Sequence, residues 1–133
     1  ITTEPTRALL DDFDAAGGAG KPRMGQMPVS YDTDRDAALA RAHEQFRWAL
    51  GGWRLNAELP LPPGFVQASE HTRPEDVAKS IPCGDDVDAV LEAAGRYAEA
   101  GFTDLALVQI GGDQQTPFIR WAETTLLPAL RDL

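Results

Sequence analysis

Apolar residues switch from helical to strand spacing near the carboxyl end of the chain, and this switch constrains the fold more than any other feature of the sequence. Residues 87–98 place apolar side chains at positions i, i+3, i+4, i+7 and i+11, which is the spacing of one helix face. Gly101 then predicts a glycine helix end, with Phe102 as its hydrophobic contact. Residues 103–110 form a nearly continuous apolar run, typical of a strand that helices cover on both faces.

Helices and short apolar strands alternate through the rest of the chain as well. Such alternation implies parallel pairing through right-handed crossovers, so the sequence predicts an α/β fold with three parallel strands. The predicted strands are residues 23–31, 80–83 and 103–110. The predicted helices are residues 4–16 and 33–50, a short helix toward Lys79, the helix that ends at Gly101, and a last helix that starts at Pro117 and bends at Pro128.

Polar residues mark three of the predicted helix starts. Asp32 is the expected N-cap of the helix over residues 33–50, and Asp85 or Asp86 is the expected N-cap of the helix that ends at Gly101. The run at residues 72–75 fits a capping box, with a proline near the first helical position.

Residues 51–72 interrupt the alternation with glycines and prolines among apolar side chains. We predict a Pro/Gly-rich insertion here, in the form of a long loop with apolar anchors. The aromatic residues in it and just before it have two interpretations. Trp48, Trp53 and Phe65 either line a substrate pocket or pack the insertion onto the helices.

Charge and cysteine content exclude several function classes. The chain has 12 Lys and Arg against 21 Asp and Glu, a net charge of -9, which is too acidic for a nucleic-acid surface. A single cysteine gives no disulfide framework and favours a cytoplasmic setting. No apolar run reaches the roughly 18 residues of a membrane-spanning helix, so no membrane partner is expected. The two histidines lack the spacing of a metal motif, and no metal site is predicted.

Several stretches, in order and spacing, carry a family resemblance. They are Ala-Ala-Gly-Gly-Ala-Gly-Lys-Pro at 15–22, Ala-His-Glu at 42–44, Ile-Pro-Cys-Gly-Asp-Asp at 81–86, Ala-Gly-Phe-Thr-Asp at 100–104, Val-Gln-Ile-Gly-Gly-Asp-Gln at 108–114 and Leu-Pro-Ala-Leu at 127–130. Together they resemble the C-terminal half of bacterial luciferase-like (β/α)8 barrels. The resemblance is to the branch of oxidoreductases that depend on a deazaflavin, coenzyme F-420, and are related to the glucose-6-phosphate dehydrogenases.

The resemblance implies that residues 1–133 are the C-terminal half of one barrel domain. Residues 1–3 would end the fifth strand, and the three predicted strands would be the sixth, seventh and eighth. A complete barrel takes about 250 residues. In this family the first five strands hold most of the coenzyme and the residues of proton transfer, so no catalytic residue is assigned here. The segment alone is expected neither to bind coenzyme F-420 tightly nor to catalyse the reaction. FMN is the alternative cofactor, since luciferase-like barrels use both.

Barrel active sites lie at the C-terminal ends of the strands, which selects Gln109, Ser30, Tyr31 and Cys83 as residues that face substrate or cofactor, with Asp113 and Gln114 as further candidates. Gln109 is alternatively a structural amide bonded to the loop of a neighbouring strand, and Cys83 a small buried thiol. Lys79 stands near the place of a substrate-binding arginine of the sugar-phosphate branch, and Pro5 near that of a lysine. These departures argue against glucose 6-phosphate as the substrate. His43, on an apolar helix face, is interpreted as a hydrogen-bonded packing residue.

A sheet of three strands leaves two open edges, which something else must cover. We expect either a homo-oligomer or the missing N-terminal half as the partner, with a small organic molecule as substrate. The resulting hypothesis is the C-terminal segment of a deazaflavin-dependent oxidoreductase that transfers hydride between coenzyme and substrate. The alternatives are a segment of an FMN-dependent luciferase-like monooxygenase and a non-catalytic half-barrel that associates with itself.

Overall fold

Two parallel strands and eight α-helices form the secondary structure of residues 5–132, which the computed structural model describes. The predicted end of a fifth strand at residues 1–3 lies outside the described residues. Single turns of 3-10 helix at Arg47–Gly51 and of π-helix at Asp14–Gly18 and Ala122–Leu126 extend three of the helices. The elements are α1 (Arg7–Phe13), β1 (Met24–Val29), α2 (Arg35–Phe46), α3 (Gly52–Ala57), α4 (Pro62–Ala68), α5 (Pro74–Ser80), α6 (Val87–Ala100), β2 (Asp104–Gln109), α7 (Gln115–Trp121) and α8 (Leu127–Arg131).

The strands β1 and β2 are neighbours in one small sheet. The amide of Thr103 donates to the Arg23 carbonyl and the amide of Ile110 donates to the Val29 carbonyl, each over 2.9 Å. Because the pairing advances in the same direction along both strands, the pair is parallel. The predicted α/β class, with parallel pairing of these two strands, is confirmed.

The predicted third strand is reduced to one parallel bridge between Ser30 and Cys83. The Ser30 amide donates to the Pro82 carbonyl and the Gly84 amide donates to the Ser30 carbonyl, both over 2.9 Å. Pairing stops there for local reasons. Ser80 is the last residue of α5, Pro82 has no amide hydrogen to donate, and Gly84 turns the chain with a φ of 105°.

The end of β1 lies between the other two segments. Both backbone groups of Ser30 bond to residues 82–84, whereas the carbonyl of Val29, which points the opposite way, accepts from Ile110. The spatial order is therefore residues 82–84, then β1, then β2. Consecutive barrel strands would place residues 82–84 in the middle, so the observed order differs from the one that the barrel resemblance implies.

The chain divides into two compact units. Among the described residues, unit 1 comprises residues 5–28, 86–108 and 119–132, and unit 2 comprises residues 29–85 and 109–118. The buried apolar side chains of unit 1 include Leu10, Met27, Val90, Ala93, Ala94, Tyr97 and Leu126. The core of unit 2 consists of Ala38, Ala42, Val77, Ile81, Cys83 and Ile110.

The helix α6 matches its prediction at both ends. The Asp86 carboxylate accepts hydrogen bonds from the amides of Asp88 and Ala89, at 3.0 and 3.3 Å. Gly101 ends the helix with a left-handed φ of 98°, and the Phe102 amide donates to the Tyr97 carbonyl over 3.0 Å. The rings of these last two residues meet edge to face at 5.4 Å, which is the predicted hydrophobic contact.

Two of the predicted helix starts are wrong. Asp34, not Asp32, caps α2, by accepting from the amides of Asp36 and Ala37 at 2.9 and 3.3 Å. Asp32 is engaged elsewhere, because its carboxylate binds Arg41. The helix α5 has Arg73 at its N-cap with no side-chain cap, so the capping box from Thr72 does not form.

Residues 51–72, predicted as a long loop, contain the two short helices α3 and α4. The rings of Phe46 and Trp48 lie 5.1 Å apart, and those of Trp48 and Phe65 lie 5.8 Å apart. His43 binds the Thr72 carbonyl through Nε2 over 2.8 Å. These contacts match the packing interpretation of two of the aromatic residues, whereas Trp53 is 76% exposed.

Two further expectations need correction. The strand β2 is not covered on both faces: Asp104 and Ala106 are exposed, and Leu105 and Leu107 are partly buried. The last helix begins at Gln115, before Pro117, and a π-helical turn precedes Pro128. The wider π-turn accommodates the proline, whose ring and missing amide hydrogen do not fit a regular α-helical turn.

Candidate functional site

The strand order marks one crevice as the place for a ligand. In open parallel sheets, ligands bind in a crevice outside the carboxyl ends of the strands. The crevice forms where one connection leads to a strand on one side and the next connection leads to a strand on the other side. The connection from β1 leads to residues 82–84 on one side, and the next connection leads to β2 on the other side. The candidate site therefore lies between the two strand-end loops, residues 30–34 and 110–114. Both loops belong to unit 2.

Arg41 of α2 is the central residue of this site. Its Nη2 donates to Asp32 Oδ2 over 2.5 Å, and its Nη1 donates to the Tyr31 carbonyl over 3.2 Å and to Ser30 Oγ over 3.4 Å. The side chains of Arg41 and Asp32 are only 11% and 14% exposed. The hydrogen bond from Arg41 is the largest cause that lowers the pKa of the Asp32 carboxyl below its usual value. The Asp32 carboxyl therefore stays charged over the neutral range.

The second strand-end loop packs against the same arginine. Gly111 has a φ of 90°, and a Cβ at this position would overlap Cδ of Arg41. Both the backbone conformation and the available space thus require glycine here. Asp113 brings a second carboxylate, 72% exposed, to 3.8 Å from Nε of Arg41. One guanidinium thereby contacts the loops that follow β1 and β2.

Gln109, the foremost candidate from the sequence, lies at the carboxyl end of β2 with its amide engaged by the backbone. Its Oε1 accepts from the Tyr31 amide over 2.9 Å, and its Nε2 donates to the Ile110 carbonyl over 2.8 Å. The side chain is buried, at 8% exposure. This geometry is that of an amide which fastens one strand-end loop to the other strand.

Ser30 and Cys83 lie side by side at the bridge and are buried. The Ser30 hydroxyl donates to the Ala38 carbonyl over 2.8 Å, which ties the end of β1 to α2. The Cys83 thiol contacts the Ile81 carbonyl at 3.3 Å. Burial raises the pKa of this thiol to about 11, so it is a protonated thiol at neutral pH and a poor nucleophile.

Lys79 is not part of this cluster. It lies on α5 with a side chain that is 71% exposed, and its Nζ pairs with Asp76 over 3.1 Å. The structure thus places Gln109, Tyr31, Ser30 and Cys83 around the strand ends and leaves Lys79 on the surface.

Sequence analysis missed Arg41 and Asp32, the two residues that organise the site. Arg41 lies three residues after the buried Ala38, on the same side of α2. The sequence does contain a signal for this pair. Arg41 is a cation at an apolar helix position, and Asp32, nine residues earlier, is a carboxylate that follows a strand.

The described residues do not fit the deazaflavin coenzyme as a set of ligands. The amide of Gln109, the hydroxyl of Ser30 and both Nη atoms of Arg41 already bind protein groups. Over the described part of the chain, the buried side-chain oxygen or nitrogen without a hydrogen-bond partner is Oδ1 of Asp14, which belongs to unit 1. No step of a reaction is therefore assigned to a coenzyme at these residues.

Unit 1 contains an apolar groove of about 350 Å³. Residues of α6, β2 and α8 line it, among them Ala94, Leu105, Leu107, Leu127 and Leu130. The hydroxyl of Tyr97, also in its lining, donates to the Gln26 carbonyl over 3.0 Å. The groove offers apolar surface and little polar chemistry.

The described residues contain neither a metal-binding cluster nor a helix suited to a membrane. Within residues 5–132, no group of three or more His, Cys, Asp or Glu is arranged to hold a metal ion. The helices of the same residues include none with both the length and the apolar content needed to cross a bilayer.

Comparison with models of protein families and with curated proteins gives no match. Among solved structures, the chain is similar to an F420-dependent secondary alcohol dehydrogenase in complex with an F420-acetone adduct. The TM-score is 0.56 at 15% sequence identity, and the match covers 81% of this chain. It covers 36% of the other chain, so the sequence spans about a third of that enzyme. A likeness at this identity shows a shared fold.

Proposed function

We propose that this chain is the C-terminal part of a luciferase-like (β/α)8-barrel oxidoreductase that depends on coenzyme F-420. The complete protein would transfer hydride between the deazaflavin and a small organic substrate. The observation that carries this proposal is the likeness, over 81% of the chain, to a structure whose name states dependence on F420. The stretches quoted from the sequence point independently to the same family.

The chemistry of the strand-end loops supports different roles for the two parts of such a protein. Side chains that would bind a coenzyme are occupied by backbone groups here, as the amide of Gln109 illustrates. We infer that the coenzyme and the proton-transfer groups belong to the remainder of the barrel, and that this chain supplies one wall of the substrate site. The segment alone is then inactive.

The proposal requires a rearrangement of the sheet. In a complete barrel the segment of residues 82–84 lies between the other two strands, and the fifth strand occupies the edge of β1 that β2 occupies here. The hydrogen bond from the Ile110 amide to the Val29 carbonyl must then be lost when the remainder is present. Protection of the Ile110 amide against hydrogen exchange reports this directly.

A titration tests the coenzyme assignment. Coenzyme F-420 is titrated against two proteins, the isolated chain and the full product of its gene. FMN is titrated against the same two proteins in parallel. We expect micromolar binding of coenzyme F-420 and oxidation of a secondary alcohol with the longer product only. Micromolar binding to the isolated chain, or no binding to either, contradicts the proposal, and binding of FMN alone transfers it to the flavin-dependent branch.

A second candidate is a non-catalytic piece that associates with itself. It is favoured by the exposure of Ala106 and the partial exposure of Leu105 and Leu107 on β2, a strand whose pairing within the described chain is with β1. Light scattering distinguishes the candidates. A stable dimer of the isolated chain supports self-association, and a monomer at high concentration contradicts it.

A further inference from the structure

The apolar groove of unit 1 has the size of a small-molecule site. Its volume of about 350 Å³ falls within the range of about 300–1,000 Å³ that such sites occupy. Liquid water takes about 30 Å³ per molecule, so the groove has room for about a dozen non-hydrogen atoms. Most of its lining is apolar and comes from three elements, with Ala94 and Ala98 on α6, Leu105 and Leu107 on β2, and Leu127 and Leu130 on α8.

The walls of the groove are fixed by packing, whereas part of its lining is open to solvent. A Cβ at Gly25 of β1 would overlap the ring of Tyr97, another lining residue, so the sheet and α6 are in close contact there. By contrast, Ala98 is exposed and Leu127 is 43% exposed. A ligand can therefore enter without unfolding the walls. The apolar surface that it covers favours binding, because that surface leaves water.

Thr103 and Asp104 supply polar groups to the lining at the amino end of β2. Thr103 Oγ1 accepts from the Arg23 amide over 2.9 Å and donates to Asp104 Oδ2 over 2.7 Å, which holds the carboxylate beside Thr103. The Arg23 guanidinium is engaged elsewhere, by Asp14 over 2.6 Å and by the Gly101 carbonyl over 3.3 Å. The described residues that line the groove include no lysine or arginine. Its charge therefore favours a cation.

We propose that this groove binds a small organic cation, an ammonium group attached to an apolar body of about a dozen atoms. The ammonium lies beside the Asp104 carboxylate, and the apolar body lies against Leu105 and Leu107 between α6 and α8. An ammonium has donors and no acceptor, so a carboxylate is the partner that satisfies it. The site belongs to unit 1, requires no coenzyme and goes beyond the proposed function.

Three compounds with the same apolar chain test the site on the whole protein. Decylammonium, decanol and decanoate are titrated below the concentrations at which they form micelles, and NMR of the backbone amides gives both the affinity and the location of binding. Ala98→Trp fills the groove from an exposed position of α6, and Glu92→Trp, at another exposed position of α6, is its control. Asp104→Asn removes the charge of the site, and Asp85→Asn removes an exposed charge of unit 2.

We expect decylammonium to shift amides of residues 94–107 and 127–130, and to bind about 1.5- to 5-fold more tightly than decanol, with decanoate the weakest. Asp104→Asn should remove this preference and Asp85→Asn should keep it. Ala98→Trp should abolish binding and Glu92→Trp should not.

An absence of binding, shifts outside the groove, or equal affinity for decylammonium and decanoate would overturn the proposal. A loss of preference in Asp85→Asn equal to that in Asp104→Asn would also overturn it, because binding would then follow the net charge of the chain. Circular dichroism checks that each variant is folded, and the ranking of the three compounds on the wild type is decisive without any variant.

Discussion

Nη2 of Arg41 and Oδ2 of Asp32 lie 2.5 Å apart, and both side chains are largely withdrawn from water. The pair connects the helix α2 to the loop that follows β1, the strand from which that helix is reached. Its removal leaves a charge without its partner in a poorly hydrated place, which costs more than the pair itself contributes.

We expect Asp32→Asn to lower the free energy of unfolding by about 1–3 kcal/mol, because Arg41 then lacks its carboxylate in a mostly buried position. Asp76→Asn is the matched control, since Asp76 pairs with Arg73 and Lys79 on an exposed helix and its loss should cost less than that of Asp32. Urea denaturation at neutral pH measures both. Equal losses in the two variants would show that burial does not strengthen the Asp32 pair.

The stability difference between the wild type and Asp32→Asn should depend on pH. The pKa of Asp32 is lowered in the folded protein, so its carboxylate stabilises the fold at pH values above the unfolded pKa of about 3.9. This contribution is lost as the pH falls through the folded pKa, which is lower still. The difference should therefore be constant above about pH 5 and shrink below about pH 4. A difference that grows on acidification contradicts the assignment.

Three glycine substitutions separate the cost of a positive φ from the cost of overlap with the Arg41 side chain. Gly111→Ala should cost about 2–5 kcal/mol, because it combines a positive φ with an overlap against Arg41. Gly20→Ala should cost about 1–2 kcal/mol, since Gly20 has a φ of 78° but open space. Gly112→Ala should be within about 1 kcal/mol of the wild type. If Gly111→Ala costs no more than Gly20→Ala in urea denaturation, Arg41 does not pack against Gly111.

Cys83 should resist alkylation in the folded protein. Its pKa of about 11, against 9.0 for an ordinary thiol, lowers the thiolate fraction at pH 8 by about 100-fold, and burial lowers access further. The rate of reaction with iodoacetamide in buffer and in denaturing urea checks this. Because the raised pKa belongs to the folded state, the stability it contributes is present below about pH 9 and declines toward pH 11. Equal alkylation rates in both solvents would falsify the buried placement.

Gln109→Leu should destabilise the protein by about 1–3 kcal/mol, because the buried amide of Tyr31 then lacks its acceptor. Gln67→Leu, at an exposed position of α4, is the matched control and should be within about 0.5 kcal/mol of the wild type. Thermal and urea denaturation measure both variants. An unchanged stability of Gln109→Leu would show that its amide is available for a ligand, as one interpretation of the sequence had it.

The parts of the fold that the sequence predicted correctly are those with local determinants. The helix α6 has its apolar spacing, its Asp86 cap and its Gly101 end within residues 86–102, and each of these features acts over a few positions. The same holds for the position of β2, whose apolar run is bounded by polar residues and glycines.

The parts that it did not predict depend on tertiary contacts. Asp32 and Asp34 are equally good N-caps by sequence, and the ion pair with Arg41 decides between them. The strand order is a tertiary property too, because crossover connections allow residues 82–84 to pair on either side of β1. The candidate site depends on both, because its two loops and Arg41 are brought together by tertiary contacts.

The division into two units has a consequence for how the chain can be cut or rearranged. Unit 2 is formed by residues 29–85 and 109–118, and the second piece brings Ile110, a core residue, and Gln109. Unit 1 is assembled from pieces on both sides of each of these segments. No contiguous fragment therefore consists of one unit alone, and a single proteolytic cut cannot separate the two units. A chain that ended at residue 118 would keep every segment of unit 2 and lose the last segment of unit 1, residues 119–132.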